Sequence, residues 1–301
     1  MVDLEVLRIA KDIKDIKIQG ASKIELAAIN VIKELINRSN LTGNDFLGEL
    51  VININHLIAQ RPNEPKLRNS LSYIWQMANK YPEIKDRSFL VDYINNYENN
   101  ISKGNDLISE YASQVITNGS VILTHCHSNL VEQAFKKAYD RGIDFEVYCT
   151  ETRPRFQGRL TAKALCDYGI KTTQIVDSAV SGYLKKVDIF MTGADVVFQD
   201  GSIMNKVGTH TISLVAQNFK TPHIVLTSTH CVEGDVFVSL NDSIEERVED
   251  EIWKEEDGRP KNLKLKNPSF DIVPNELIDK FITEEGVFSP ETLALWTRKK
   301  K

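Results

Sequence analysis

A chain of 301 residues is long enough to bury a full core and suggests about two domains. Its net charge of −5 argues against a general nucleic-acid binder, which would carry a basic stripe. No apolar run approaches the ~20 residues a membrane-spanning helix needs, and the mixed charges of Met1 to Lys11 do not read as a signal peptide. The four cysteines lack close pairing, which reads as reduced thiols in a cytoplasmic protein.

The first third of the chain has helical periodicity. Ile24, Ala27, Ala28, Val31, Ile32, Leu35 and Ile36 recur on one face, with Glu25, Lys33 and Glu34 opposite. Ser22 is the expected N-cap and Glu25 the expected partner in a capping box. The turn before it, Ile18-Gln19-Gly20-Ala21, would present free N–H groups at a helix N-terminus, a geometry that suits an anion. Read without context, it is first of all an interhelix turn. Leu47, Leu50, Val51, Ile54 and Leu57 mark another helix, stopped by Arg61-Pro62-Asn63-Glu64-Pro65. Helices follow over Leu67 to Met77 and Phe89 to Val115, and the turn at Asn118-Gly119 is the expected domain boundary. The expected domains are therefore 1–117 and 118–301.

The remainder alternates β-rich runs with helical segments. Val121-Ile122-Leu123 runs into Thr124-His125-Cys126-His127-Ser128, and Phe145 to Cys149 runs into Thr150-Glu151-Thr152-Arg153-Pro154. Thr173 to Val176 runs into Asp177-Ser178, and Asp188 to Thr192 into Gly193-Ala194-Asp195. The pattern is that of an α/β fold with an open parallel sheet, whose ligands bind beyond the carboxyl ends of the strands. All four polar clusters fall there. Helices are expected over Leu130 to Tyr139, Arg159 to Tyr168 (with Gly169 as C-cap) and Ala179 to Leu184. A hairpin turning at Asp200-Gly201 follows, then a helix opened by Asn205-Lys206-Val207-Gly208-Thr209 and running to Phe219. His223 to Thr227 is a strand, residues 233–266 a charged surface excursion, and Leu277 to Thr283 a final strand.

Cys126, just past a strand end and ahead of a helix, is the sharpest chemical candidate, since such a cysteine can act as nucleophile or base. Cys149 and Cys166 read as structural. Asp195 ends an apolar strand behind two small residues, where desolvation favours the protonated form and suits it to general acid work. A carboxylic acid facing a thiol is a pair suited to moving a proton between carbons. Asn205 and Lys206, with free N–H groups at a helix start, form an expected phosphate subsite, and Arg153, Arg155 and Arg159 are further cations. His125 and His127 lack a completing third ligand, so local hydrogen bonding is expected of them rather than a metal. Neither G-x-G-x-x-G nor a P-loop is present, and no cofactor is expected.

These motifs in this order resemble one superfamily over nearly the whole chain. It unites methylthioribose-1-phosphate isomerase, archaeal ribose-1,5-bisphosphate isomerase and the α/β/δ regulatory subunits of translation initiation factor 2B. The His-Cys-His-Ser form is most similar to the archaeal ribose-1,5-bisphosphate isomerases, whose AMP metabolism and nucleotide salvage it would share. The resemblance implies a helical N-terminal domain, a Rossmann-like C-terminal domain and aldose–ketose isomerisation with Cys126 as base and Asp195 as acid. It also implies that Gly20, Ala21, Arg61, Ser128, Arg153, Asn205 and Lys206 hold a sugar phosphate. A homo-oligomer (dimer or hexamer), AMP as an effector, and no membrane or direct nucleic-acid partner are further implications. The alternative within the superfamily is a non-catalytic regulatory subunit. Two positions depart from the isomerase pattern: Gln19 stands where an arginine is usual, and Cys231 where a lysine is expected. Two lost cations weaken bisphosphate binding unless replaced.

Overall fold

The computed structural model describes residues 1–18, 20–62, 64–83, 86–233, 244 and 246–299. Gln19, Asn63, Ile84, Lys85, residues 234–243 and 245 of the charged excursion, Lys300 and Lys301 lie outside the described residues. The chain divides into two compact units, Met1–Lys103 and Gly104–Lys301.

The first unit is helical: α1 (Leu4–Lys14), α2 (Ala21–Arg38), α3 (Gly43–Ile58), α4 (Pro65–Lys80) and most of α5 (Ser88–Gln114). Asp3 caps α1 by accepting from the N–H groups of Glu5 and Val6. Pro65 opens α4 at a position where its missing N–H is harmless. The apolar faces meet in one core, with Ile24, Ala28, Ile32 and Leu35 of α2 against Leu50, Ile54 and Leu57 of α3 and Leu67, Leu71 and Ile74 of α4. One expectation at α2 is corrected. Gly20, at φ 86°, is the N-cap, and Glu25 does not complete a capping box. It is buried instead, accepting a hydrogen bond from Ser70 on α4. A partner brought in by tertiary packing has displaced the local one.

The second unit is α/β. In chain order it comprises β1 (Val121–Thr124), α6 (Asn129–Asp140), β2 (Glu146–Thr150), α7 (Gly158–Tyr168), β3 (Lys171–Ile175), α8 (Val180–Tyr183) and β4 (Ile189–Gly193). Then come β5 (Val196–Val197), β6 (Ile203–Lys206), α9 (Thr209–Phe219), β7 (His223–Leu226), β8 (Phe270–Val273), β9 (Lys280–Thr283), β10 (Gly286–Phe288) and α10 (Pro290–Lys299). Seven strands form one sheet in the order β10-β9-β7-β4-β1-β2-β3, parallel except for β10. Alternate side chains of its strands serve opposite faces. Ile122 packs with Phe135 of α6 and Leu165 of α7, whereas Leu123 packs with Leu184 and with Ile212 of α9. β5, β6 and β8 form a second, antiparallel sheet. The expected hairpin at Asp200-Gly201 is its β5–β6 turn, with Gly201 at φ 84°.

Two strand expectations are corrected. Asn205 and Lys206 lie at the end of β6 rather than in a helix start, and α9 begins at Thr209 behind Gly208 at φ 104°. The final parallel strand begins at Lys280, because Asn275–Leu277 form a tight turn and Asp279 is bonded to the backbone of His223. Among the described residues no helix is long and apolar enough to cross a membrane.

Candidate active site

The strand order reverses between β1 and β4. From β1 the chain steps outward to β2 and β3, then returns to lay β4 on the other side of β1 and continues outward to β7 and β9. An open parallel sheet has its crevice at that reversal, because the loops from the two central strands diverge to opposite faces. Thr124 of β1 pairs with Met191 of β4. Cys126 therefore follows one of the two strands at the switch point, and Asp195 follows the other.

Cys126 is a half-buried free thiol in a left-handed backbone conformation, φ 68°. A residue with a Cβ avoids that region unless its surroundings hold it there. Both of its peptide groups are held. Its N–H donates to Thr152 Oγ1 at 2.9 Å, and its carbonyl accepts from Thr161 Oγ1 at 3.1 Å. Thr152 is itself at φ 61°. Thr161 in turn takes a hydrogen bond from His127 Nδ1 at 3.0 Å, and that ring lies 3.8 Å from Glu132. His125 is buried between Thr150 Oγ1, 2.7 Å from Nδ1, and the Val207 carbonyl, 2.9 Å from Nε2. The carbonyl can only accept, so the ring proton sits on Nε2 and Nδ1 accepts from Thr150. Burial keeps this imidazole below its ordinary pKa, against the hydrogen bond to Val207. Thus His125 and His127 turn to different partners. Among the described residues no three His, Cys, Asp or Glu side chains converge to hold a metal ion.

Two glycines make this packing feasible. A Cβ on Gly158 would lie 1.8 Å from the Thr150 carbonyl oxygen, and one on Gly193 would lie 2.7 Å from Ser128 Oγ. The first lets α7 descend onto the end of β2; the second brings Ser128, at the N-terminus of α6, against β4.

Burial pushes the Cys126 thiol up to about 11. The Lys206 ammonium and the His127 backbone N–H, hydrogen-bonded to the sulfur, work in the opposite direction. Carboxylates at Asp195 and Asp177 add to the rise. The sulfur is thus within electrostatic reach of both Asp195 and Lys206. Asp195 is half-buried, its backbone N–H donating to the Met204 carbonyl. Beside it the buried Cys231 thiol points at the Ala194 carbonyl, 3.7 Å away.

Lys206 ends β6 opposite Phe270 of β8, and its ammonium lies 4.8 Å from that ring's centre. Asn205 is buried and donates to Thr209 Oγ1 at 3.1 Å. The free N–H groups expected here are partly taken: Asp271 accepts from Gly208 N at 2.6 Å and from His210 N at 3.2 Å. An acidic residue opposite Asn205 in the β6–β8 ladder thus caps α9 in place of an external anion.

Arg153 turns its guanidinium outward to the Ile252 carbonyl at 3.3 Å, and Arg155 pairs with Glu251 at 2.8 Å. Arg159 stacks on Phe156. Asp177 binds the backbone N–H groups of Thr152 and Arg153, each at 2.7 Å, and shapes that loop. Gly20, Ala21 and Arg61 belong to the first unit. There Gly20 and Ala21 begin α2, with Lys66 donating to Ser22 Oγ at 3.0 Å, and the half-buried Arg61 follows α3.

The model of the initiation factor 2 subunit family matches residues 17–290. The chain belongs to that family. Among its relatives, ribose 1,5-bisphosphate isomerase of Methanocaldococcus jannaschii is 37% identical over 93% of this chain and 90% of that protein. The protein of the same name from Thermococcus kodakarensis is 34% identical over 95% and 91%. Methylthioribose-1-phosphate isomerase of Pelotomaculum thermopropionicum is 31% identical over 95% and 83%. The fold recurs in the solved translation initiation factor eIF-2B of Pyrococcus horikoshii OT3, with TM-score 0.83, 23% identity and 96% and 98% of the two chains covered. It recurs as well in 5-methylthioribose 1-phosphate isomerase from the same organism, with TM-score 0.80, 23% identity and 98% and 87% covered. Family membership accounts for the α/β architecture, a Rossmann-like sheet preceded by helices.

Proposed function

We propose that this family member is an aldose–ketose isomerase that converts ribose 1,5-bisphosphate, or a closely related sugar phosphate, to the corresponding ketose phosphate. The observation that carries the reading is the pairing at the switch point: a thiol after β1 and a carboxyl after β4, with an ammonium in electrostatic range of the sulfur. The names of the relatives point to the same chemistry.

A sugar phosphorylated on its anomeric oxygen cannot open its ring by ordinary mutarotation. Asp195, protonated, gives its proton to the ring oxygen as the bond from C1 breaks. Cys126, as thiolate, removes the proton on C2, and the electron pair forms the C1–C2 double bond of an enol phosphate. Asp195 then takes the proton from the C2 hydroxyl while the Cys126 thiol returns its proton to C1. Both residues end as they began, and the substrate has moved its carbonyl to C2. Burial favours the neutral thiol, and the Lys206 ammonium works toward the thiolate the step requires. A neutral thiol with a carboxylate and a thiolate with a carboxylic acid carry the same total charge, so one proton passed between the groups interconverts them. When Asp195 holds that proton, its own contribution to the raised thiol pKa is gone, and Lys206 favours the thiolate against the effect of burial.

Ser128, Asn205 and Lys206 are the proposed holders of hydroxyl and phosphate groups in this unit; Gly20, Ala21 and Arg61 are proposed in the first. Arg153 is the weakest of the set, since its guanidinium already docks on Ile252. We further propose a homo-oligomer in the cytoplasm, where four free thiols fit a reducing environment; an AMP effect on rate is checked by adding it to the assay. The deciding experiment incubates the pure protein with ribose 1,5-bisphosphate and follows ribulose 1,5-bisphosphate. Turnover abolished in both Cys126→Ser and Asp195→Asn supports the mechanism; full activity in Cys126→Ser overturns it.

A further inference from the structure

We propose that Thr152, Thr150 and His125 are positioning residues for Cys126, joined in a hydrogen-bond chain of fixed direction that holds the thiol in its left-handed backbone conformation. The chain runs from Cys126 N–H to Thr152 Oγ1 at 2.9 Å, from Thr152 to Thr150 Oγ1 at 3.3 Å, from Thr150 to His125 Nδ1 at 2.7 Å, and from His125 Nε2 to the Val207 carbonyl at 2.9 Å. Its direction is forced. An amide N–H at one end only donates, a carbonyl at the other only accepts, and each hydroxyl carries a single proton. Reversing any link leaves a donor or an acceptor without its partner. Thr150, Thr152 and His125 are 0%, 0% and 2% exposed, so bulk water is not at hand to repair a broken link.

What the chain holds is a backbone conformation that a cysteine would not adopt alone. The φ of 68° at Cys126 and of 61° at Thr152 adjoin in space through the first link. The Cys126 conformation also sets where the next peptide N–H points, and that N–H, from His127, is the one bonded to the sulfur. The far end of the chain lands on Val207, next to Lys206, so the strand bearing the thiol is tied to the strand bearing the ammonium. Charged groups near the imidazole are Asp177, Asp271 and Lys206; those near the thiol are Lys206, Asp195 and Asp177. Both ring nitrogens of His125 are taken by protein groups. It is therefore not an acid or base in the reaction but a brace. Close approach supports this role: a Cβ on Gly208 would lie 3.0 Å from the ring, so the turn packs directly against it.

The test pairs kinetics with a reading that does not need turnover, because the kinetic part rests on the isomerase reading. In Thr152→Val, kcat falls about 10- to 100-fold while KM stays within about threefold, as expected for misplacement of a reacting group by an ångström or less. Peptide-resolved alkylation of Cys126 by iodoacetamide, followed from about pH 7 to about pH 11, is slower at each pH in the same variant, because the His127 N–H that favours the thiolate leaves the sulfur. Thr152→Ser, which keeps the oxygen, recovers most of both effects. A Thr152→Val protein with native kcat and a native alkylation profile overturns the proposal. Should that variant not fold, the native protein decides: proton–nitrogen NMR at the pH of the assay must show a neutral His125 with its proton on Nε2. A proton on Nδ1, or an imidazolium at that pH, overturns it. If the native protein shows no isomerase activity while the alkylation and tautomer results hold, the function reading fails and the positioning role stands.

Discussion

Two buried imidazoles, a few strands apart, are used in opposite ways. His125 sits past the end of β1 between Thr150 and Val207, with its proton on Nε2 and its neighbour Cys126 half exposed. His223 opens β7 inside the core, stacked on Phe190 at 4.4 Å and held between Ser213 at 3.1 Å and Thr192 at 2.8 Å. Ser213 already donates to the Thr209 carbonyl, so it accepts from His223 and the ring proton is on Nδ1. The tautomers are opposite because the partners are. The difference teaches that a buried histidine is read from what its nitrogens hold in place: a strained peptide bearing a thiol in one case, two packed strands and a helix in the other.

The largest expected effect separates the two regions outright. Cys126→Ser lowers kcat about 10³- to 10⁴-fold, the share a positioned base contributes, with a urea midpoint close to native. His223→Leu does the reverse. It leaves the Thr192 hydroxyl without its acceptor in the core and lowers unfolding free energy by about 2–4 kcal/mol, read from the urea midpoint at unchanged slope, with kcat retained. A native midpoint in that variant would remove His223 from the structural side of the comparison.

A third prediction sharpens it with pH. Burial holds His223 down to about 3, whereas in the unfolded chain it takes a proton near the ordinary value of about 6.5. Between those values the unfolded state binds more protons, so stability rises with pH and falls as pH drops below about 6.5. His223→Leu makes that acid limb shallower. On the alkaline side burial pushes Cys149 up to about 12 and Cys126 up to about 11, both above the ordinary 9.0. Their contribution is whole below pH 9 or so and is lost as pH rises through the folded values. The thermal midpoint against pH therefore has two falling limbs, and a flat profile would contradict both assignments. The smallest effect is at Phe270. Phe270→Leu removes the ring beneath Lys206 and raises KM for the bisphosphate about two- to tenfold, the worth of one partly exposed cation–π contact, with kcat little changed.

Much of this was legible in the chain. The short apolar run Val121-Ile122-Leu123 and the periodicity of Leu130 to Tyr139 depend on neighbours within a few residues, and both elements stand where the pattern puts them. Gly169, at φ 98°, ends α7 as its residue type implies. The strand Phe270–Val273 escaped because four residues pairing with a partner more than sixty positions away carry little local signal. Glu25 escaped for the same reason in reverse, since its local pattern is that of a capping residue and a distant serine overrides it.

The sequence by itself determined that Cys126 and Asp195 each follow a buried strand, because a short continuous apolar run that gives way to polar residues is written in composition and spacing. Only the tertiary structure decided that those strands are neighbours at the reversal of the sheet, that Asp271 rather than an outside anion caps α9, and that Cys126 is braced through His125. The physical reason is range. Periodicity reports which face of an element is dry, whereas strand order and buried hydrogen bonds depend on which distant dry faces and polar atoms find each other when the chain closes.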